Sequence, residues 1–391
     1  MENETIKLLK QKYEEKFDSK YEGIYYSPGR INLIGEHIDY SGGNVFPAAI
    51  TKGTYAIARK REDTKIRCYS LNFPEFGPLE LSLNDLEYNK TDNWVNYVKG
   101  VIKYFIEVGH KIDTGFDIVI YGDIPNGAGL SSSASLELLI GVMLKDLYDL
   151  DIDRLDIIKI GQKVENEYLG VNSGIMDQFA VGKGEKDKAI YLDTHTLDYK
   201  LVPADFKNNV ILIMNTNKRR ELADSKYNQR RAECEEALKL LQQEINIESL
   251  GELSAKQFEK YKYFINDETL TKRAKHAVYE NVRVKKAVEV LKDNDLKSFG
   301  KLLNESHISL KDDYDITGIE LDTIVDLSWK QEGVLGARMT GAGMGGCAIA
   351  LVDRTEVDRI IENIQKGYTK KIGYEASFYI AEIGDGAKVL K

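Results

Sequence analysis

A glycine- and serine-rich segment at residues 122–135 lies between a strand pattern and a helix pattern. Before it, residues 116–121 alternate apolar and polar side chains at period two, which predicts a strand. After it, apolar residues recur at the offsets of a buried helix face: Leu136, Leu139, Ile140, Met143, Leu144 and Leu147. Near the C-terminal end, a strand pattern at residues 347–352, a helix pattern at residues 357–364 and a strand pattern at residues 377–382 predict an α+β sheet layer.

The same segment has the composition of a phosphate-binding loop. Gly127 and Gly129 allow close backbone approach, and Ser131, Ser132 and Ser133 add hydroxyls that can donate to phosphate oxygens or bind magnesium. The alternative is a flexible turn with a serine N-cap, but three consecutive serines exceed what a cap requires. No Lys-Ser or Lys-Thr closes the segment, so it is not a Walker loop.

A second glycine-rich segment, TGAGMGG at residues 340–346, contains the spacing G-x-G-x-x-G. The dinucleotide-binding reading requires a helix after the glycines, whereas an apolar strand, residues 347–351, follows them here. Two interpretations remain open: a plain tight turn, or a loop that approaches the phosphate loop or a sugar.

Two further segments collect polar residues. In residues 27–44, Arg30, Glu36, His37 and Asp39 lie among glycines, a composition suited to binding a neutral polyol; the alternative is a solvated loop. In residues 170–178, Asp177 lies between apolar neighbours. It is either an ordinary acid at a helix start or a carboxylate that orients or deprotonates a hydroxyl beside an arginine.

Length and composition limit the class of protein. A chain of 391 residues is expected to form two lobes, and a net charge of −9 argues against general nucleic-acid binding. Three widely spaced cysteines give no disulfide or zinc pattern, and no apolar run approaches the roughly 20 residues of a membrane span. With no signal-peptide pattern at the N-terminus, a cytoplasmic protein is expected. Helices are predicted near residues 6–17 and 357–364, and strands at residues 54–58, 65–69, 210–214, 347–352 and 377–382.

Four of these segments, in this order, resemble the galactokinase branch of the GHMP sugar and metabolite kinases. GRINLIGEHIDYSGG at residues 29–43 is similar to the galactokinase signature, and GAGLSSSAS at residues 127–135 to the phosphate loop of all GHMP kinases. Residues 340–346 resemble the third GHMP motif, and GIMDQ at residues 174–178 the stretch with the catalytic aspartate. Residues 215–228 resemble a region with a sugar-contacting tyrosine. Two positions depart from the signature: Ile38 replaces a threonine, and Ser41 an asparagine.

The resemblance implies an α+β fold with two lobes and the active site between them. Residues 1–200 would form an N-terminal mixed-sheet lobe, and residues 201–391 a C-terminal, ferredoxin-like α+β lobe. The implied reaction is ATP-dependent phosphorylation of the C1 hydroxyl of galactose to galactose 1-phosphate, the first committed step of galactose catabolism. A monomer without an obligate protein partner is expected.

The resemblance also implies a role for individual residues. Asp177 and Arg30 would be catalytic, and Ser133 and Glu165 would bind Mg²⁺. The sugar would contact Glu36, His37, Ile38, Asp39, Gly174 and Tyr227. ATP would contact Ser70, Gly127, Ala128, Gly129, Leu130, Ser131, Ser132 and Ser133.

Three alternatives stay open on the sequence. A kinase for N-acetylgalactosamine or arabinose would share the fold. A silent sensor of galactose and ATP would be expected to have a damaged phosphate loop or catalytic pair, whereas Arg30 and Asp177 are both present here. A dehydrogenase, suggested by residues 341–346 alone, is disfavoured by the strand that follows them.

Overall fold

The structure, a computed structural model, describes residues 4–125, 129–218 and 223–391 of the chain. The first half forms strands and helices in alternation. Its strands are β1 (Gly23–Asn32), β2 (Asn44–Val45), β3 (Pro47–Lys60), β4 (Lys65–Ser70), β5 (Leu79–Ser82), β6 (Phe116–Gly122), β7 (Lys188–Asp193) and β8 (Tyr199–Pro203). Its helices are α1 (Glu4–Phe17), α2 (Val95–Glu107), α3 (Ser132–Leu147), α4 (Arg154–Lys163) and α5 (Met176–Lys183).

The second half is mainly helical between its first two strands. Its strands are β9 (Asn209–Asn215), β10 (Val334–Thr340), β11 (Cys347–Asp353), β12 (Ser377–Ala381) and β13 (Lys388–Val389). Its helices are α6 (Ala223–Leu241), α7 (Ala255–Tyr261), α8 (Glu268–Lys292), α9 (Leu296–Asp312), α10 (Ile319–Trp329) and α11 (Val357–Ile372). The strands and helices predicted from residue patterns are therefore confirmed in type and place.

The first sheet is mixed, as the resemblance implied. Its strand order is β13-β1-β3-β6-β4-β5, with β4 and β6 parallel and the other neighbours antiparallel. Helix α3 packs against β1 and β3, and its apolar residues belong to the main core. On the opposite face, α1 buries Leu9, Tyr13 and Phe17 against the sheet. A smaller sheet, β2-β7-β8, accompanies the first.

The second main sheet is antiparallel, with the order β10-β11-β9-β12. Numbered along the chain as strands one to four, that order is two-three-one-four, with helices after the first and third strands, which is the ferredoxin-like arrangement. The last strand, β13, pairs instead with β1 of the first sheet. A division of the chain near residue 200 stays a prediction.

The two main sheets meet where β1 ends beside β10. The Asn32 backbone N–H donates to Thr340 Oγ1 at 3.2 Å, and Arg338 Nη1 donates to the Asn32 carbonyl at 2.8 Å. All three residues are buried, so these bonds fix the ends of the two strands against each other. The segments singled out in the sequence converge at this junction. No helix of the described residues combines the length and the apolar character needed to cross a bilayer.

Candidate active site

Arg30 and Asp177 form the centre of the site. Arg30 lies on β1, just after a shift of pairing register between Pro28 and Arg30, and such a bulge redirects the side chain. Its Nε and Nη2 each donate to one Asp177 carboxylate oxygen at 2.7 Å, and its Nη1 donates to the Gly129 carbonyl at 2.6 Å. The bidentate pair holds Asp177 as an oriented carboxylate beside the glycine-serine loop.

Ser131 is the third group on Asp177. Its backbone is left-handed, with φ of 60°, and its Oγ donates to Asp177 Oδ2 at 2.5 Å. A serine hydroxyl has one proton, and in this structure Ser131 donates it to the Asp177 carboxylate. Ser131 immediately precedes α3. The first N–H groups of a helix have no partner within the helix, so a helix N-terminus suits phosphate.

Ser133 and Glu165, both expected to bind Mg²⁺, lie side by side. Ser133 Oγ donates to Glu165 Oε1 at 2.7 Å, and Ser173 Oγ donates to Glu165 Oε2 at 2.5 Å. Glu165 lies in a π-helical turn, Val164–Tyr168, that follows α4. Burial raises the pKa of Glu165, while the hydrogen bonds from Ser173 and Ser133 oppose that shift. Hydroxyl and carboxylate oxygens together are the donor set that Mg²⁺ prefers.

The residues described contain no cluster of three or more His, Cys, Asp or Glu side chains placed to hold a metal. A magnesium ion carried by a nucleotide does not need one, because phosphate oxygens and waters complete its coordination. Ser133 and Glu165 therefore fit an ion bound with ATP better than a resident metal.

Glu36 is buried and paired on the opposite side of the site. Its Oε2 accepts from Arg338 Nη2 at 2.7 Å, and both side chains are almost fully buried. Burial raises the pKa of Glu36, while the charges of Arg338 and Arg30 oppose that shift. Arg338 thus holds the carboxylate in place.

The pKa values of His37 and Asp39 are shifted strongly from their ordinary values. Burial, with the charge of His276 as a second cause, lowers the pKa of His37 to about 3, so its ring is neutral at physiological pH. Burial and the nearby Asp177 carboxylate raise the pKa of Asp39 to about 7. Such displaced titratable groups concentrate at functional sites.

Gly174 and Tyr227 close the same side. A Cβ added to Gly174 would collide with the Asp39 carboxylate, so only glycine allows this approach. Tyr227 is hydrogen-bonded to the Gly174 backbone, and its ring centroid lies 5.3 Å from that of His37. Both residues therefore help to shape the pocket around Asp39.

A cavity of about 430 Å³ joins these groups. It brings together most of the residues predicted for the site: Arg30, Glu36, His37, Asp39, Gly129, Ser131, Ser132, Ser133, Glu165, Gly174, Asp177 and Tyr227. Its volume is in the range of small-molecule sites. The walls are polar and charged on both sides, which suits a hydroxylated ligand next to a phosphorylated one.

Three predicted residues lie outside the cavity lining. Ile38 and Leu130 have side chains buried in the hydrophobic core, where apolar groups are most stable. Ser70 ends β4 opposite Ile120, and its Oγ accepts from the Asn72 backbone N–H at 3.2 Å. Gly127 and Ala128 lie outside the described residues.

The segment 340–346 is the turn between β10 and β11, and it packs on the serine loop. A Cβ added to Gly341 would lie 2.9 Å from the Gly129 carbonyl oxygen, and Gly341 has a positive φ of 88°. This close approach decides between the two interpretations of the segment. It is a loop that packs closely on the serine loop, and the strand β11 after it excludes the dinucleotide-binding arrangement.

The structure adds residues that sequence reasoning missed. Ser173 supports Glu165, Arg338 holds Glu36, and the Ala342 carbonyl faces His37. Ser173 and Ala342 lie within segments already singled out, so their position was a usable signal. Arg338 gave none, because a lone arginine in a strand is ordinarily exposed.

A larger cleft of about 1100 Å³ lies elsewhere on the molecule. Its lining combines tyrosines with charged side chains of both signs, such as Tyr26, Lys186, Asp205 and Arg354. Among the residues described, none predicted for the site lines it. Size alone therefore does not mark the functional cavity, since the smaller one holds the buried, oriented charges.

Known proteins match both halves of the chain. Family models match residues 11–60 (galactokinase galactose-binding signature), 96–185 (GHMP kinases N terminal domain) and 287–370 (GHMP kinases C terminal). A galactokinase of Ligilactobacillus salivarius is 60% identical over 384 residues, which covers 98% of this chain and 99% of the relative. A galactokinase of Enterococcus faecalis is 60% identical over 383 residues, with the same coverage of 98% and 99%.

Solved structures match the whole fold. The crystal structure of Lactococcus lactis galactokinase complexed with galactose is 54% identical, with a TM-score of 0.96 and coverage of 98% of this chain and 99% of that one. A mevalonate kinase structure, 21% identical, has a TM-score of 0.68 with coverage of 93% and 99%, and shows the shared fold alone. From full-length relatives at this identity, we conclude that the chain belongs to the galactokinase family of the GHMP kinases.

Proposed function

We propose that this chain is a galactokinase that transfers the γ-phosphoryl group of ATP to the C1 hydroxyl of galactose. The observation that carries the proposal is the bidentate Arg30–Asp177 pair between the serine loop and the pocket of Glu36, His37 and Asp39. An oriented carboxylate in this position supports a reaction between a sugar hydroxyl and a phosphate. The product would be galactose 1-phosphate.

Asp177 orients the C1 hydroxyl and accepts its proton as the oxygen attacks phosphorus. Both Asp177 oxygens accept charge-assisted hydrogen bonds from Arg30, which fix the orientation of the carboxylate for that task. The same guanidinium lies beside Gly129, so it also counters negative charge that develops on the transferring group. Positioning and electrostatics of this kind supply most of the catalysis in phosphoryl transfer.

ATP would lie along the serine loop and the N-terminus of α3. Gly129, Ser132 and Ser133 line the cavity there, and Gly341 packs behind the loop. Ser133 and Glu165 would hold Mg²⁺, which when bound neutralises phosphate charge. These assignments rest on the 2.7 Å contact between the two side chains and on their oxygen chemistry.

Galactose would lie against Glu36, His37, Asp39, Gly174 and Tyr227. Buried carboxylates with one partner already in place discriminate between hydroxyl configurations, because a misplaced hydroxyl leaves a buried polar group unpaired. We also propose that the protein works as a cytoplasmic monomer, since no motif in the chain implies an obligate partner or a membrane.

The test is ADP release with Mg-ATP across galactose, glucose, N-acetylgalactosamine, arabinose and mevalonate. We expect a strong preference for galactose and a phosphate ester at C1, identified by ³¹P and ¹³C NMR. Activity confined to another compound would overturn the substrate while leaving the fold unchanged. Galactose binding without turnover on any compound would make the chain a sensor.

A further inference from the structure

We infer that Tyr40 and Tyr314 position the His37 ring for galactose binding through a hydrogen-bond chain of fixed direction. The inference deepens the proposed function, because it rests on His37 as part of the galactose pocket. This hydrogen-bond chain joins residues 29–43 to residues far away in the sequence. Its successive contacts are His37 Nδ1 to Tyr40 Oη at 2.9 Å, Tyr40 Oη to Tyr314 Oη at 2.8 Å and Tyr314 Oη to Cys234 Sγ at 3.1 Å.

The direction of the chain starts at the other ring nitrogen. His37 Nε2 lies 3.2 Å from the Ala342 carbonyl oxygen, and a carbonyl oxygen can only accept. Nε2 therefore carries a proton and donates it. A neutral imidazole has one N–H, so Nδ1 is left as an acceptor. The buried position of the ring supports the neutral form.

Each hydroxyl is then assigned in turn. Tyr40 donates its single proton to His37 Nδ1, so its oxygen accepts from Tyr314. Tyr314 has thereby used its own proton, and its contact with Cys234 Sγ is a hydrogen bond only if the thiol donates. The direction of every hydrogen bond in the series therefore follows from the Ala342 carbonyl at one end, and the role of each hydroxyl depends on that of its neighbour.

Packing keeps the rings of the hydrogen-bond chain in place. Tyr314 is fully buried, and its ring centroid lies 4.5 Å from that of His276 and 5.3 Å from that of His37. His276 is itself fixed, because its Nε2 lies 3.0 Å from the Glu36 carbonyl and its Nδ1 lies 2.9 Å from Ser309 Oγ. The wall behind the sugar pocket therefore consists of rings whose rotation is restricted on several sides.

The consequence concerns the His37 ring, which a left-handed backbone with φ of 59° presents to the cavity. With Tyr40 donating to Nδ1, a rotated ring would face that hydroxyl and the Ala342 carbonyl with carbon atoms. Without the hydroxyl, the rotated ring and the other tautomer lose the part of their disadvantage that Tyr40 imposes, and only the Ala342 carbonyl still disfavours them. A ligand then binds a ring that is correctly oriented only part of the time, which weakens its apparent affinity.

The kinetic test replaces the hydroxyls and keeps the rings, in Tyr40→Phe and Tyr314→Phe. We expect the KM for galactose to rise about fivefold or more, with kcat and the KM for ATP within about twofold of the parent. The matched control is Tyr25→Phe, which also removes the hydroxyl of a buried tyrosine. The Tyr25 hydroxyl donates to Asp146 Oδ2 at 2.8 Å, and neither residue lines the cavity. An effect of Tyr314→Phe no larger than that of the control would overturn the inference.

The thiol offers a conservative rescue. Cys234→Ser keeps a donor for Tyr314 and should leave the galactose KM near that of the parent, whereas Cys234→Val removes the donor and should raise it. An equal effect of both variants would show that the thiol takes no part in the chain.

The direct readout is ¹⁵N NMR of the histidine rings in the full-length protein. We expect His37 to carry its proton on Nε2, with Tyr40→Phe producing a mixture of tautomers. A His37 proton on Nδ1 in the parent would contradict the inference even if all kinetic values agreed. This measurement needs no turnover, so it separates failure of the chain from failure of the galactokinase proposal.

Discussion

The two sides of the active-site cavity are built on different principles. The side that we propose for the ATP phosphates, the phosphate side, uses hydroxyls and the turn before α3, and its residues Gly129, Ser131, Ser132 and Ser133 fall within five consecutive positions of the chain. The side that we propose for galactose, the sugar side, uses side chains held by partners from distant segments, such as Glu36 with Arg338 and His37 with Ala342. A phosphate group accepts hydrogen bonds from many directions, whereas a neutral polyol is recognised only by donors and acceptors in fixed places. This difference predicts that substitutions on the two sides change different kinetic quantities: the Mg²⁺ requirement and kcat on the phosphate side, and the galactose KM on the sugar side.

Asp177, which both sides share, gives the largest expected effect. Asp177→Ala removes the proton acceptor and should lower kcat about a thousandfold or more, with the fold intact. Steady-state kinetics beside circular dichroism would check this. Asp177→Asn keeps the shape without the charge and should be nearly as inactive. Full activity of either variant would remove Asp177 from the mechanism.

The phosphate side is tested by Glu165→Gln and Ser133→Ala. Both should raise the Mg²⁺ concentration that gives half-maximal rate and lower kcat by about a hundredfold, since charge neutralisation at the phosphates weakens. The galactose KM should stay within about threefold. A Mg²⁺ titration at saturating galactose measures the effect, and an unchanged Mg²⁺ requirement would exclude both residues as ligands.

The sugar side is tested by Gly174→Ala. The new methyl group would collide with the Asp39 carboxylate and should raise the galactose KM about tenfold or more, while the KM for ATP stays near the parent value. Gly122→Ala is the control, because a Cβ there meets only ordinary contacts, the nearest at 3.7 Å. Equal effects on both substrates would mean that the substitution disturbs more than the sugar side.

The protonation of Asp39 predicts a pH effect on stability. In the folded protein its pKa is raised to about 7, while in the unfolded chain the ordinary value near 3.8 returns. The folded state therefore holds the extra proton between these values, and the stabilisation present below pH 4 is lost as pH rises towards 7. Three pKa units correspond to at most about 4 kcal/mol.

Urea unfolding of the parent and of Asp39→Asn at pH 5 and pH 8 would measure this pH-dependent stabilisation. The parent should lose free energy of unfolding relative to the variant as the pH rises. A difference between the two proteins that is the same at both pH values would mean that Asp39 ionises normally.

The smallest expected effect concerns the larger cleft. Arg354→Ala should leave kcat and both KM values within about twofold, because its exposed charge has no contact with the cavity of Asp177. A large loss of activity would show that the cleft communicates with the reaction.

Residue patterns predicted the phosphate side better than the sugar side. The serine loop could be recognised because strand, glycine turn and helix follow one another directly. The pairing of Asp177 with Arg30 spans 147 residues and came from family resemblance, while the partners of Glu36 and His37 were not foreseen. A contact between distant segments depends on how sheets and helices pack, and local pattern does not contain that information. Ile38 shows the same limit, since its burial in the core follows from packing.

The left-handed backbone at Ser131 and His37 has a consequence for directed evolution. An L-residue with a side chain is disfavoured there by about 1–2 kcal/mol, whereas glycine adopts this conformation freely. At His37 this gain is outweighed by the loss of a buried ring and its hydrogen bonds, so a library selected only for heat resistance would tend to enrich Ser131→Gly and not His37→Gly. Ser131→Gly would remove the hydroxyl that donates to Asp177 while the melting temperature rises, so a screen for more stable variants needs a turnover filter at every round.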